Sequence, residues 1–193
     1  PTHQPIEHMV TLRSTPNLNN WRPADLVETA VAWKDAVSST KTPTCLIFSR
    51  QGTSAITRTP EQLNSIQMGG YLLKANDTSD ITIVASGSEL QLALDASVEL
   101  EKDSINANVV SMPSLDIFLD QSEEYQNTII DTSKPVLVVE CGHPNSWYKI
   151  LNRSDKVIGI ESFGESAPGN VLLEHFGFTL ENVVGTAKSL IDD

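Results

Sequence analysis

The sequence predicts an α/β protein: a three-layer C-terminal domain on a mostly parallel sheet of about five strands, preceded by a truncated parallel α/β unit. Two observations predict it. From residue 81 onward, short β-branched and aliphatic runs (81–85, 107–111, 135–140 and 157–161) alternate with longer stretches that have helical periodicity. Those runs are continuously apolar, as strands covered on both faces must be, where a half-solvated antiparallel sheet would give alternation.

The C-terminal part is built in this order. Ile81–Ala85 is a strand, Ser86-Gly87-Ser88 a tight turn, and Ser88 with Gln91 the cap of a helix reaching about Asp103. Ala107–Ser111 is the next strand, stopped by Met112-Pro113. Residues 114–131 are polar and acidic, with a helical stretch around Glu123–Ile130. Strands at 135–140 and 157–161 come next, then helices at 167–175 and 180–191 parted by Gly177. Residues 80–193 are enough for a domain with its own core.

The N-terminal part reads as a smaller unit over 1–52. Pro5 opens a short helix through Leu12, and residues 17–21 form a strand. Asp25 caps a second helix with Glu28 three residues on, a capping-box spacing. Leu26, Val27, Ala30, Val31, Trp33, Ala36 and Val37 give that helix a broad apolar face, expected to be buried against a sheet. Thr44–Phe48 reads as a buried strand. Two strands bury too little to be a domain, so this unit either ends a larger sheet or packs on the rest of the chain. Residues 53–79 form a polar linker. It holds one short helix capped by Thr59, with Pro60 in its first turn and Gln62 three residues after the cap, and a small edge strand near Gly69–Lys74.

The formal charge is −12, which argues against nucleic acid or an anionic membrane as partner. It is unevenly spread: residues 1–74 carry +2 and residues 75–193 carry −14. The mildly basic unit is the one suited to an anionic ligand. No apolar run reaches the roughly 20 residues of a membrane span, and no charged-then-apolar leader is present. Cys45 and Cys141 lie far apart in apolar runs, without metal-ligand spacing, and read as reduced thiols of a cytoplasmic protein.

Three residues invite chemistry. His3 sits between Pro1 and Pro5, and an imidazole fixed by such a turn could exchange protons near neutral pH; taken alone, it reads as a surface histidine. Arg50 comes after an apolar strand and so emerges at that strand's C-terminal end, where parallel sheets bind ligands. A guanidinium there could grip a phosphate or pair with a nearby Glu. Arg22 ends the neighbouring strand and reads as structural. Ser86-Gly87-Ser88-Glu89 lacks the longer glycine pattern of a nucleotide site and reads as a turn. His143 and His175 lack any ligand pattern.

The segments Pro1-Thr2-His3-Gln4-Pro5, Trp21-Arg22-Pro23-Ala24-Asp25 and Ser49-Arg50-Gln51 together resemble the transketolase family, and the resemblance continues through Val109–Pro113 and Phe163–Pro168. It departs at Gly52, where the family usually has Asn. It implies a piece of a larger enzyme: the end of a pyrimidine-binding domain plus a complete C-terminal domain. That enzyme would use thiamine diphosphate with Mg or Ca to move a two-carbon ketol unit from a ketose phosphate to an aldose phosphate, in the pentose phosphate pathway, as a cytoplasmic homodimer. His3 would then be catalytic and substrate-binding, facing the reacting carbons, and Arg50 would bind the substrate's phosphate. The family's diphosphate, metal and aminopyrimidine-activating groups lie upstream of the residues present, so no cofactor-binding or metal-binding residue is expected here and the chain alone is expected to be inactive. Two other readings remain open: a non-catalytic assembly module, or part of a sibling enzyme such as dihydroxyacetone synthase or deoxyxylulose phosphate synthase.

Overall fold

The computed structural model describes residues 4–192, so His3 lies outside the described residues. The five-stranded sheet has the order β3-β5-β4-β6-β7, from β3 (Tyr71–Lys74), β4 (Ile81–Ala85), β5 (Ala107–Ser111), β6 (Val136–Val139) and β7 (Lys156–Ile158). Every pairing is parallel except β3 with β5. The antiparallel edge strand β3 thus comes from the segment read as linker.

Alternation along the central strands explains their continuous apolar runs. Ile81, Ile83, Ala85, Leu137 and Val139 face one layer, with α4 (Leu90–Glu101) and α8 (Leu180–Asp192). Val84, Val136 and Val138 face the other, against Phe118, Ile129 and Trp147. On α4 the buried positions Leu90, Ala93, Ala96 and Leu100 recur every three or four residues. Their two alanines let α8 lie close, through Val183, Ala187 and Leu190. The second layer carries α5 (Leu115–Leu119) and α6 (Glu123–Ile129), each with a serine N-cap, Ser114 and Ser122. Gly69 links the layers at φ +84°, where a Cβ would meet the Ser114 carbonyl at 2.4 Å, so only glycine fits.

Several elements differ from the sequence reading. The last strand is shorter than 157–161 because β6 ends in a tight turn, with the Gly142 N–H on the Glu140 carbonyl at 2.7 Å. Beyond Ile158 the pairing continues only through the Ile160 N–H on the Gly142 carbonyl. Ser88 does not cap α4: it lies in a 3-10 turn at Gly87–Glu89, and its hydroxyl turns to Glu89. The first helix, α1 (His8–Arg13), starts after Pro5, because the Gln4 carbonyl is engaged by Gly164 and Ile6 packs against the main core. The Thr59 capping box with Gln62, by contrast, forms in full on α3 (Pro60–Ser65).

β1 (Asn19–Trp21) and β2 (Thr44–Leu46) form a separate parallel pair. β1 is sealed against the C-terminal domain, its Asn20 N–H on Asp116 and its Trp21 ring fully buried. β2 is only half-buried, and Phe48 is exposed, contrary to the expected buried strand. Among the described residues β2 pairs with β1 alone.

The apolar face of α2 (Leu26–Ser38) is also not buried as expected. Leu26 is 84% exposed, Val37 77% and Trp33 52%, whereas Glu28 and Ala32 point inward. Glu28 fixes this rotation. One of its oxygens takes hydrogen bonds from the Tyr71 and Ser111 hydroxyls, at 2.7 and 2.6 Å, and pairs with Arg58 at 3.1 Å; the other accepts the Ala24 N–H. The capping box is therefore half-formed. Asp25 accepts the Val27 and Glu28 amides, but Glu28 has turned into the domain junction.

Candidate functional site

β1 and β2 run parallel, so their C-terminal ends share one edge. Arg22 leaves the first, and Ser49-Arg50-Gln51 leaves the second. Two backbone hydrogen bonds join this edge to the C-terminal ends of the larger sheet: Arg22 N–H to the Pro113 carbonyl, 2.7 Å, and Gly87 N–H to the Arg22 carbonyl, 3.1 Å. The crossover from β5 to β6 passes over β4, so the switch point of the large sheet lies between β4 and β6. Open α/β sheets bind ligands there. In this chain that place is filled by the chain's own charges.

Glu140, at the end of β6, is fully buried. Its two oxygens take a bidentate pair from Arg13, at 2.7 and 2.8 Å, together with the Trp147 indole N–H at 3.1 Å and the Ser86 hydroxyl. The Arg13 guanidinium also stacks 4.9 Å from the Trp147 ring centroid. Burial alone would raise the Glu140 carboxyl, but Arg13, Arg22 and Ser86 hold it down at about 2. Arg22 pairs with Glu89 and reaches the Ser86 carbonyl and hydroxyl. Burial opposes its charge, yet Glu89 and Glu140 raise it above the ordinary arginine value. Arg22, read as structural, is thus engaged by Glu89 and Ser86. What sequence reasoning missed is its set of partners, including the role of Glu89 within the turn read as bland.

A second buried network, Arg58 with Asp25, Glu28 and Tyr71, fixes α2 to β3 and β5. Burial and the neighbouring Glu28 push the Tyr71 hydroxyl upward, so it remains a donor. For Asp25, burial is outweighed by hydrogen bonds from Arg58 and from backbone amides, which lower its carboxyl.

Arg50 differs from these arginines. It is exposed, and it makes no ion pair among the described residues. Next to it, Gln51 reaches the start of α7 (Gly169–His175), where a Cβ on Gly169 would meet its amide at 2.6 Å. On the same rim, Gly164 donates to the Gln4 carbonyl at 2.9 Å. Gln4 is next to His3 in the chain, and Gln51 is next to Arg50, so this loop and the start of the helix that follows it touch the neighbours of both predicted site residues. Behind that loop is a cavity of about 480 Å³ lined by Ile6, Gln51, Cys141, Ile160, Leu172 and Phe178, among others. Burial, with Glu89 beside it, pushes the Cys141 thiol up, and both cysteines are free.

Among the described residues no group of three or more His, Cys, Asp or Glu could hold a metal ion, and no helix is long and apolar enough to cross a membrane.

A parallel strand pair sealed against a mostly parallel five-stranded sheet makes this a two-part α/β protein, and both parts have counterparts in one enzyme family. Residues 69–179, more than half of the chain, match the transketolase-like TK C-terminal domain, and residues 1–54 match the transketolase pyrimidine-binding domain. The chain belongs to the transketolase family. It is 46% identical over 193 residues to transketolase 1 of Vibrio parahaemolyticus, covering 99% of this chain and 29% of that protein. It thus spans under a third of the curated relatives it matches. A crystal structure of Pichia stipitis transketolase in complex with sedoheptulose-7-phosphate superposes at TM-score 0.92 and 39% identity, over 100% of this chain and 28% of the other. A chain described as a split gene transketolase, inactive beta4 tetramer, superposes at TM-score 0.79 and 26% identity, over 98% of this chain and 63% of that one.

Proposed function

We propose that this chain supplies the substrate-gripping edge and the C-terminal domain of a thiamine-diphosphate-dependent transketolase, which moves a two-carbon ketol unit between sugar phosphates. The observation that carries this reading is Arg50: an exposed guanidinium with no carboxylate partner among the described residues, at the C-terminal end of a parallel strand, in a chain of this family. It would hold the phosphate of the ketose or aldose through charge-assisted hydrogen bonds. His3 would exchange protons with the donor's carbonyl and hydroxyl oxygens. Residues 1–52 would be the end of the pyrimidine-binding domain and 53–79 the connection to the C-terminal domain. The full-length protein would act as a cytoplasmic homodimer of the pentose phosphate pathway.

The residues present do not suit the cofactor's diphosphate and metal. Their carboxylates at the sheet edge are committed to Arg13, Arg22 and Arg58. Magnesium and the diphosphate would be held elsewhere in the full-length enzyme. The isolated chain is therefore expected to be inactive, as the name of the split-gene neighbour says of that protein. Calorimetric titration of the 193-residue chain with thiamine diphosphate and magnesium should give no heat of binding; a micromolar constant would place a cofactor site within it.

Partner surface is the other expectation of this reading. Leu26, Trp33 and Val37 fall on one stripe of α2, and Phe48 stacks on Trp33 at 6.3 Å between ring centroids, beside the edge of β2 that no strand covers among the described residues. Exposed apolar area next to an unpaired edge favours association. Light scattering of the isolated chain should show a dimer or larger species, and Trp33→Glu with Val37→Glu should return it to a monomer. A monomeric parent chain would rule this surface out as a self-association site.

A further inference from the structure

We propose that Gly164, in the C-terminal domain, is a positioning residue for the transfer reaction: it sets the place of the Gln4 backbone, whose neighbour in the sequence is His3. This rests on the reading of His3 given above. The Phe163–Pro168 loop is exposed apart from Gly164, which is half-buried against the N-terminal segment. Its N–H donates to the Gln4 carbonyl at 2.9 Å, the single backbone bond between this loop and the N-terminal unit among the described residues. The approach is closer than a side chain allows. A Cβ on Gly164 would lie 2.5 Å from that carbonyl oxygen, 3.2 Å from Gln4 Cα and 3.3 Å from its carbonyl carbon. All three atoms are backbone, so nothing flexible can swing aside. On its other side the segment is anchored by Ile6, which packs against the main core. Residue 4 thus lies between a contact to a glycine of the C-terminal domain and the core contact made by Ile6 two residues on.

Gly164 has no left-handed φ, so alanine there meets no conformational strain of its own. Its cost is displacement. Restoring an ordinary contact requires the Gln4 carbonyl and the loop to part by about half an ångström or more, and whatever share of that falls on the Gln4 segment is costly, since a misplacement on the order of 1 Å costs roughly 100-fold in rate. Because the rest of the loop is exposed and can give way, the loss should fall more on catalysis than on stability.

The test uses the full-length enzyme that carries this chain. Gly164→Ala should lower kcat about 10- to 100-fold for a phosphorylated ketose and for a short hydroxy-keto acid alike, with donor KM changed less than about threefold and thermal stability little altered. Ser166→Ala, in the same exposed loop, should behave as the parent. In the His3→Ala background, Gly164→Ala should cost little more, because both act through one group. An undiminished kcat in Gly164→Ala, or an equal further loss in the His3→Ala background, overturns the proposal while leaving the role of His3 intact. A fully active His3→Ala enzyme overturns the reading beneath it. If Gly164→Ala does not fold, Pro168→Gly loosens the loop without adding an atom; it should lower kcat in the same direction, and unchanged kcat there also overturns the proposal.

Discussion

Replacing Arg50 with Ala in the full-length enzyme should cost about 1.5–3 kcal/mol of phosphate binding, or roughly 10- to 150-fold in affinity, for phosphorylated sugars. A guanidinium that faces a dianion can form two parallel charge-assisted bonds, which a lysine cannot reproduce. Arg50 is exposed and has no competing carboxylate among the described residues, so the whole charge is available to a ligand. The loss should be confined to donors that carry a phosphate. A short hydroxy-keto acid has nothing to reach Arg50 and should react as before. His3→Ala should instead impair both donor classes, because it would act at the reacting end. Kinetics with one donor of each class separate the two roles, and equal losses for both donors in Arg50→Ala would make Arg50 a structural residue.

How much of this fold can be read from the sequence depends on how local the causes are. β4, β5 and β6 were legible because burial on both faces writes itself into consecutive residues, as in Ile81–Ala85. The Thr59 cap was legible because its partner is three residues away. The helix at 26–38 was legible as a helix, but its orientation was not. Its rotation is set by Glu28 meeting Tyr71 and Ser111, 43 and 83 residues distant. The apolar stripe that suggested a buried face is instead left outside. Arg50 could be placed at a strand end by the apolar run before it. The charges that fill the switch point could not be placed, since Arg13 and Glu140 are 127 residues apart. The signal available was a carboxylate closing the run Val136–Val139, a position where an unpaired charge would be costly.

That buried carboxylate should prove the most sensitive point of the junction. Glu140→Ala leaves the Arg13 guanidinium buried without its partner, and takes the acceptor from the Trp147 indole and the Ser86 hydroxyl. Breaking one side of a buried pair costs about 3–5 kcal/mol. For a chain of this size, at about 2–4 °C per kcal/mol, the melting temperature should fall by roughly 6–20 °C. The pair itself need not stabilise to that extent. Arg13→Met with Glu140→Leu should cost much less than the two single losses combined, because no charge is then stranded. The pH dependence carries the same signature. The folded Glu140 titrates near 2, below its ordinary 4.5. Its contribution is therefore fully present above about 4.5, and is lost as pH falls from there toward 2, at about 1.4 kcal/mol per unit. The parent chain should lose about 3 kcal/mol more stability than Glu140→Ala over that interval, measured by denaturant unfolding at fixed ionic strength. Parallel acid profiles for the two proteins, or a Glu140→Ala penalty under about 1 kcal/mol, would mean that the N-terminal unit is held to the C-terminal domain by the Arg58 network and not by Arg13.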